Sequence, residues 1–425
     1  MKTDATEFSQ NFISTHTNMS VDDMWACIKT NLLTILDDNV PSKLSTSRTY
    51  HPWITSETKR LIRNKQIWYQ KAKQKNDEKT WKKYNEFKKL VQKQCRKSHD
   101  VYVQNLISID NSNKKFWTYI KSQRKEKTGI PDILDNNTWV TDPKKKADLF
   151  NLQFSRVFSI PGIPFVIPPL DSKCKISSIK ISEKGVLKLL ENINVNKASG
   201  PDQIPGRLLR IIANEIYPVL TILFQSSLDQ GSVPEDWKTA HITPLFKKAD
   251  KNNVQNYRPI SLTSIICKLL EHIIHSTIMD FLDTNNILTD FQHGFRQGRS
   301  CESQLITTVR DFSNSLNASS QVDAILLDFS KAFDKVDHSI LLSKMSEIGI
   351  QGPLLSWSAS FLQGRTQRVL VDGSVSDPCL VQSGVPQGTV LGPLFFCSTS
   401  TTSKGTFPLA LTFVCLQMTV SYTEQ

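Results

Sequence analysis

The segment "VDAILLDFSKAFDKVDH", Val322–His338, joins an apolar run to a series of acidic residues. Its apolar half predicts a buried strand that ends at Asp328. A carboxylate at that point lies at the edge of a sheet, where it can hold Mg²⁺ against phosphate groups. Asp334 and Asp337 follow on a predicted helical turn. Acids often end strands, so the neighbouring motifs decide what this one means.

A glycine-rich motif, "SGVPQGTVLGPLFF", occupies residues 383–396. Its glycines bracket Pro386 and Gln387. Glycine lets a ligand approach the backbone closely, and the glutamine carboxamide offers both a donor and an acceptor. Alone, the motif predicts a turn that leads into a helix. Together with the strand that ends at Asp328, it favours a ligand site.

A cationic hairpin is predicted over residues 237–264, "WKTAHITPLFKKADKNNVQNYRPISLTS". Two strand-like pieces flank a polar turn and carry Lys247, Lys248 and Arg258. Cations on such a hairpin suit a triphosphate. As a lone feature it would be a solvent-exposed hairpin.

Five motifs, in this order, resemble the reverse transcriptases of non-LTR retrotransposons, the LINE-type elements, and most of all their jockey-type group. "NKASGPDQIP" (Asn196–Pro205), "NYRPISL" (Asn256–Leu262) and "QHGFRQGRSC" (Gln292–Cys301) come before the two motifs quoted first. The resemblance covers residues 178–396. It implies an α+β right-hand polymerase with fingers and palm, which copies an RNA template into DNA from a DNA primer and deoxynucleoside triphosphates.

The same resemblance implies roles for individual residues. Asp328 would be the catalytic ligand of two Mg²⁺ ions, and Phe333 would exclude a ribose 2′-hydroxyl. Gln387 and Gly388 would lie against the incoming nucleotide. The remaining implied contacts are with the triphosphate, by Lys247 and Arg258, and with the template or primer backbone, by Arg296 and Arg299.

The stretch after Phe396, "CSTSTTSKGT", has no periodicity and departs from the family's pattern. Such polymerases carry two further acids in a Phe/Tyr-Ala-Asp-Asp block, which this sequence lacks. A reading frame one base earlier can spell it. The last base of the Met418 codon and the first two of the Thr419 codon encode Asp, and the codon before them must encode Asp or Asn. We therefore expect residues 397–425 to be an out-of-frame tail, the palm to be incomplete, and the chain not to polymerise.

A basic helical region is predicted over residues 51–127. Residues 59–97 hold 15 Lys or Arg side chains against three acids, and aromatic residues such as Trp81 and Tyr84 recur at helical spacing. The region could follow a phosphate backbone, with Lys82 and Lys83 among its contacts, or it could be a solvated hairpin with a packing stripe. The first alternative leaves a rival function open, that of a non-catalytic RNA- or DNA-binding remnant.

The remaining expectations concern organisation and location. Residues 1–50 are predicted to be a polar N-terminal segment with one short helical patch, and residues 128–177 a connector. Eight scattered cysteines without a CxxC pair argue against a zinc site or disulfide framework. No signal peptide or membrane-spanning run is present, which predicts an intracellular protein, nuclear or cytoplasmic. The sequence leaves the oligomeric state open.

Overall fold

The structure is a computed structural model that describes residues 1–41, 51, 53–108, 117, 119–120, 129–159, 174–288, 290, 292–323 and 329–400. The chain forms two compact units. The larger contains Met1–Pro41 and the described residues from Gly129 to Ser400, and the smaller contains the described residues between Ser42 and Thr128. The predicted strand residues 324–328, including Asp328, and the proposed tail beyond residue 400 lie outside the described residues.

The sheet of the larger unit is built around the predicted hairpin. Strands β3 (Thr239–Phe246) and β4 (Tyr257–Leu262) are antiparallel, with Leu245 opposite Arg258. Strand β3 also pairs in parallel with β5 (Thr366–Val371), which pairs with the two short strands β6 (Ser374–Val375) and β7 (Cys379–Leu380). A separate two-stranded ladder joins β1 (Ile133–Asp135) to β2 (Thr138–Val140).

Helices form most of the remaining described structure of both units. In chain order they are α1 (Lys2–Thr15), α2 (Val21–Asn39), α3 (Ser56–Lys75), α4 (Glu78–Ser108), α5 (Pro143–Ser155), α6 (Glu183–Glu191), α7 (Gly206–Ile211), α8 (Ala213–Asp229), α9 (Ile265–Thr284), α10 (Cys301–Asn317), α11 (His338–Glu347), α12 (Gly352–Leu362) and α13 (Leu391–Ser400). The mixture of helix and sheet confirms the α+β expectation at that level.

The N-terminal segment contributes to the main hydrophobic core. Phe12, Trp25 and Ile28 are buried in the same cluster as Phe224 and Trp237. The Trp25 indole packs edge-on against Trp237 with ring centroids 5.2 Å apart, and its Nε1 donates to Asp236 at 2.8 Å. Helices α1 and α2 are therefore integral to the larger unit.

A second, smaller core lies against the sheet. It includes Ile133 from β1, Phe150 and Phe154 from α5, Tyr257 from β4 and Val369 from β5. The rings of Phe150 and Tyr257 are 4.9 Å apart at 72°. Residues 128–177 were predicted to be a connector, and in the structure they supply two strands and a helix that cover the sheet.

The smaller unit is a helical hairpin of α3 and α4. Asn76 ends α3 in the left-handed conformation at φ 48°, and the Asp77 side chain accepts from the Thr80 backbone N–H at 2.6 Å. Along the two helices as far as the structure describes them, the buried residues are small, namely Thr58, Ala72, Thr80 and Val91. Within the part of the chain described, no helix has the length and apolarity to cross a membrane.

Candidate active site

The glycine-rich loop is held against the segment that follows Asp328. The backbone N–H of Val385 donates to the Phe333 carbonyl at 2.8 Å, and that of Gly384 donates to Val336 at 2.8 Å. The His338 ring shares a 2.7 Å hydrogen bond with the Gly384 carbonyl. A Cβ on Gly384, which has φ +90°, would lie 2.7 Å from the Phe333 carbonyl oxygen. Two motifs that were quoted separately thus form one structural feature, and glycine is required where they meet.

The same loop also contacts the predicted hairpin. The Ser261 backbone N–H donates to the Gln387 carbonyl at 2.7 Å. Gly388 has φ +105°, and a Cβ on it would lie 2.9 Å from the Ser261 carbonyl oxygen and 3.6 Å from Ile260 Cγ2. Because side chains alternate along a strand, Arg258 shares the sheet face of Ile260. Arg258 and Ile260 therefore lie on the same face of β4, and Gly388 lies close to Ile260.

Phe333 belongs to a small aromatic cluster. Its ring stacks on Phe396 with centroids 5.1 Å apart and planes at 13°, and it meets Phe295 edge-on at 6.0 Å. Phe333 is half-buried, and Phe295 comes from the "QHGFRQGRSC" motif. The ring is thus packed from two sides, which fixes its position.

Asp334 and Asp337, the two acids after Phe333, both have structural partners. Asp334 Oδ1 accepts from Gln387 Nε2 at 3.0 Å, and burial raises the pKa of this carboxyl group. The Asp337 carboxylate begins helix α11 by accepting from the backbone N–H groups of Ser339 and Ile340 at 2.8 and 3.1 Å. Among the described residues there is no group of three His, Cys, Asp or Glu side chains that could hold a metal ion. These residues do not supply a complete Mg²⁺ ligand set.

A buried carboxylate from helix α9 supports the other end of the loop. Glu271 is fully buried, and its Oε2 accepts from the Val390 and Leu391 backbone N–H groups at 2.6 and 3.1 Å. Burial raises the pKa of this carboxyl group, and the two N–H donors oppose that effect. Glu271 therefore caps helix α13 and fixes the loop after Gly388.

Arg365 directly precedes β5. The residue is 2% exposed, and Nη1 donates to the Phe361 carbonyl at 2.9 Å. Burial lowers its pKa, and the charge of Glu271 opposes that shift. Nη2 has no hydrogen-bond partner among the described residues, and Arg365 lines a cleft together with Asp334 and Gln387.

The sequence motifs gave little indication of Glu271 and Arg365. A lone acid inside the apolar run "IICKLLEHIIH" was a signal that could have identified Glu271, because an unpaired carboxylate is seldom buried without hydrogen-bond donors. Arg365 had no comparable signal, since arginine before a strand is ordinary.

The structure gives most of the cations predicted to contact the triphosphate or the nucleic acid a neighbour within the chain. Arg296 Nη2 pairs with Asp283 Oδ1 at 2.9 Å, and Arg299 Nη2 pairs with Asp290 Oδ1 at 2.7 Å. Lys247 follows β3 directly, and its backbone N–H donates to Asn256 at 2.8 Å. Lys82 and Lys83 lie in the smaller unit, where Lys83 Nζ is 4.6 Å from the centre of the Trp68 ring.

Of the residues predicted to bind the nucleotide, the structure brings Phe333, Gln387 and Gly388 together. The loop that carries Gln387 and Gly388 is hydrogen-bonded to the segment that carries Phe333.

Comparison with known proteins bears on this site. Residues 246–409 match the family model described as reverse transcriptase (RNA-dependent DNA polymerase). The chain is 30% identical over 229 residues to a probable RNA-directed DNA polymerase from transposon BS of Drosophila melanogaster, which is 54% of this chain and 25% of that protein. It is 27% identical over 309 residues to the RNA-directed DNA polymerase from mobile element jockey of the same species, which is 70% of this chain and 33% of that protein.

A third relative is the jockey polymerase of Drosophila funebris, 26% identical over 326 residues, with 73% of this chain and 35% of that protein covered. The chain thus spans between a quarter and about a third of these relatives. The matches confirm the resemblance to non-LTR retrotransposon reverse transcriptases that the motifs indicated.

Proposed function

We propose that the larger unit is the fingers and part of the palm of an RNA-directed DNA polymerase. The proposal starts from the match of residues 246–409 to the reverse transcriptase family and from the similarity to non-LTR retrotransposon polymerases. The observation that carries the proposal is the packing of the glycine-rich loop. Residues 383–388 contact both the Phe333–His338 segment and Ser261 of the hairpin. Three motifs distant in the sequence thereby converge, which supports a nucleotide site at this point.

Each side chain of this cluster has a chemical role in the proposal. Phe333, fixed by Phe396 and Phe295, blocks the space of a ribose 2′-hydroxyl. Gly388 gives the nucleotide access to the backbone of the loop, and Gln387 supplies a hydrogen bond. Asp328, at the end of its predicted strand, is the Mg²⁺ ligand, and bound Mg²⁺ would neutralise charge on the reacting phosphates.

The flanking cations complete the proposed substrate contacts. Lys247 and Arg258, at the end of the β3–β4 hairpin, would hold the triphosphate of a deoxynucleotide. Arg296 and Arg299 would approach the RNA template or DNA primer after exchanging their aspartate partners for phosphates. Such an exchange replaces one exposed ion pair by another, so it costs little free energy.

We further propose that this chain does not polymerise. Two-metal catalysis needs more than one carboxylate. Asp334 and Asp337 are engaged by Gln387 and by the start of α11, and the sequence has no Phe/Tyr-Ala-Asp-Asp block. Sequencing the gene around codon 396 tests the proposed frameshift, which fails if no single-base change there restores the block.

Primer extension tests the proposal directly. Purified chain with an RNA template, a DNA primer, deoxynucleotides and Mg²⁺ should give no product, and Asp328→Ala should behave like the wild-type chain. Robust extension that Asp328→Ala abolishes would contradict the loss of activity and would support the family function. Whether or not the chain extends a primer, it should bind a deoxynucleoside triphosphate in an equilibrium titration. Arg258→Ala should weaken this binding.

A second candidate function is supported by the smaller unit. The 15 cations and three acids of residues 59–97 account for the net charge of +12 of the whole chain, because the remaining residues hold equal numbers of basic and acidic side chains. Within the described residues of 53–108, an ion pair joins His99 to Asp100. None of the 15 Lys and Arg side chains forms an ion pair with another described residue. This favours a surface that binds a phosphate backbone independently of catalysis.

Salt dependence distinguishes this function. The logarithm of the RNA affinity should fall steeply and linearly with the logarithm of salt concentration. Lys82→Gln with Lys83→Gln should reduce the slope by about 1 for each of the two lysines that neutralises a phosphate. The matched control is Lys184→Gln with Lys188→Gln, which removes the same charge from α6. An equal reduction by both pairs would contradict binding at the hairpin.

A further inference from the structure

Gln387 is held through both its backbone and its side chain. Its carbonyl accepts from the Ser261 N–H at 2.7 Å, and its Nε2 donates to Asp334 Oδ1 at 3.0 Å. The first contact sets the position of the residue in the loop. The second sets the direction of the carboxamide, which rotation about the side-chain bonds would otherwise leave free.

Asp334 is itself well anchored. Its carbonyl accepts from Ser383 Oγ at 2.8 Å, and its backbone N–H donates to the Lys331 carbonyl at 3.0 Å. Burial raises the pKa of the carboxyl group, while the Gln387 amide and the Lys331 charge favour its ionised form. The partner of the Gln387 carboxamide is therefore an acidic side chain on anchored backbone.

The chemistry of the two groups fixes which end of the carboxamide faces Asp334. In the structure Gln387 Nε2 is the donor and Asp334 Oδ1 the acceptor, so the NH₂ group faces Asp334. The carbonyl Oε1 of the same planar group then points away from Asp334. Across the described part of the chain, Gln387 Oε1 has no hydrogen-bond partner, so it is available to a ligand.

We propose that Asp334 is a positioning residue that holds the Gln387 carboxamide in one orientation, so that Oε1 accepts a hydrogen bond from a hydroxyl of the bound nucleotide. The ligand part of this inference rests on the proposed function, in which Gln387 lies against a deoxynucleoside triphosphate. The positioning part rests on the contacts within the chain alone.

A double-mutant cycle tests the positioning part. Asp334→Ala and Gln387→Met should each lower the melting temperature by about 2 to 4 °C, and the double variant should lower it by clearly less than the sum. Asp337→Ala is the matched control, because it removes an aspartate three residues away that caps α11 instead. Its shift should add fully to that of Gln387→Met. Additive shifts for Asp334→Ala would overturn the inference.

Nucleotide binding tests the ligand part and separates orientation from stability. Asp334→Asn keeps the shape but lets the carboxamide face either way. The wild-type chain with Mg²⁺ should bind a deoxynucleoside triphosphate about 5- to 10-fold more tightly than its 3′-deoxy analogue. In Asp334→Asn the ratio of the two affinities should fall towards one, while the affinity for the analogue stays unchanged. Asp337→Asn should retain the wild-type ratio.

An unchanged preference in Asp334→Asn would overturn the inference. Failure of the wild-type chain to bind either nucleotide would overturn the proposed function and, with it, the ligand part. Because the melting experiment needs no nucleotide, it separates these two failures.

Discussion

At the scale of single residues, Gly384 carries the strongest backbone constraint in the site. An alanine there would keep φ near +90° and place its Cβ 2.7 Å from the Phe333 carbonyl oxygen and 2.8 Å from Asp334 Cα. We expect Gly384→Ala to lower the free energy of unfolding by more than about 2 kcal/mol, because both neighbours are backbone atoms that cannot turn aside. Chemical denaturation followed by circular dichroism measures the change.

Gly298 provides the matched control for that substitution. It has φ +76°, yet a Cβ on it would meet nothing within 4 Å. Gly298→Ala should therefore cost only the conformational strain of about 1 to 2 kcal/mol. Equal costs at the two positions would show that the close approach of the loop to residues 333–334 is wrong.

The buried Asp334 carboxyl group should also leave a signature in the pH dependence of stability. Burial raises its folded-state pKa above the unfolded value, so the native state binds the proton more tightly. Its contribution to the free energy of unfolding should be greatest below about pH 4 and fall as pH rises towards the folded-state value. The free energy of unfolding of the wild type minus that of Asp334→Asn isolates this contribution. A value that rises with pH would contradict the burial of Asp334.

At the scale of elements, the start of helix α13 depends on a carboxylate from another helix. Glu271 accepts from the Val390 and Leu391 N–H groups, and it is completely buried. Glu271→Ala leaves both donors unsatisfied beside a cavity, so we expect a loss of about 3 kcal/mol or more. Glu271→Gln retains an acceptor and should cost markedly less. Denaturation curves compare them, and equal losses would contradict the capping role.

The elements that sequence patterns predicted best are those with local signals. The strand-like pieces and polar turn of residues 237–264 predicted a hairpin, and β3 and β4 form it. The short helical patch predicted within residues 1–50 corresponds to α2, in which Met24, Ile28 and Leu32 are buried. Such patterns need only neighbouring residues, because strand and helix periodicities are properties of short segments.

Contacts between distant parts of the chain could not be predicted in this way. The structural role of Asp334 depends on a partner 53 residues away, and that of Trp25 on one 211 residues away. Residues 128–177 were predicted to be a connector, yet Ile133 of β1 and Phe150 and Phe154 of α5 pack in one core with the sheet. Burial against a remote element leaves no period in the sequence.

At the scale of the whole molecule, the first 41 residues hold the larger unit together. Trp25 is 2% exposed, packs against Trp237 and shares the Asp236 carboxylate with Lys29, whose Nζ is 2.9 Å away. Trp25→Ala should lower the free energy of unfolding by about 3 to 5 kcal/mol, because it opens a large cavity and removes a hydrogen bond. It should also make the larger unit aggregate on heating, because the loss of Trp25 would expose apolar surface of α8.

Ile13→Ala is the control, because Ile13 lies on neighbouring α1 but is 43% exposed. It should change the free energy of unfolding by less than about 0.5 kcal/mol. The smaller unit offers an internal reference, since the α3–α4 hairpin belongs to a separate unit and should keep its RNA affinity in Trp25→Ala. A Trp25→Ala chain as stable as Ile13→Ala would mean that α1 and α2 are only loosely attached, and that the larger unit is complete without them.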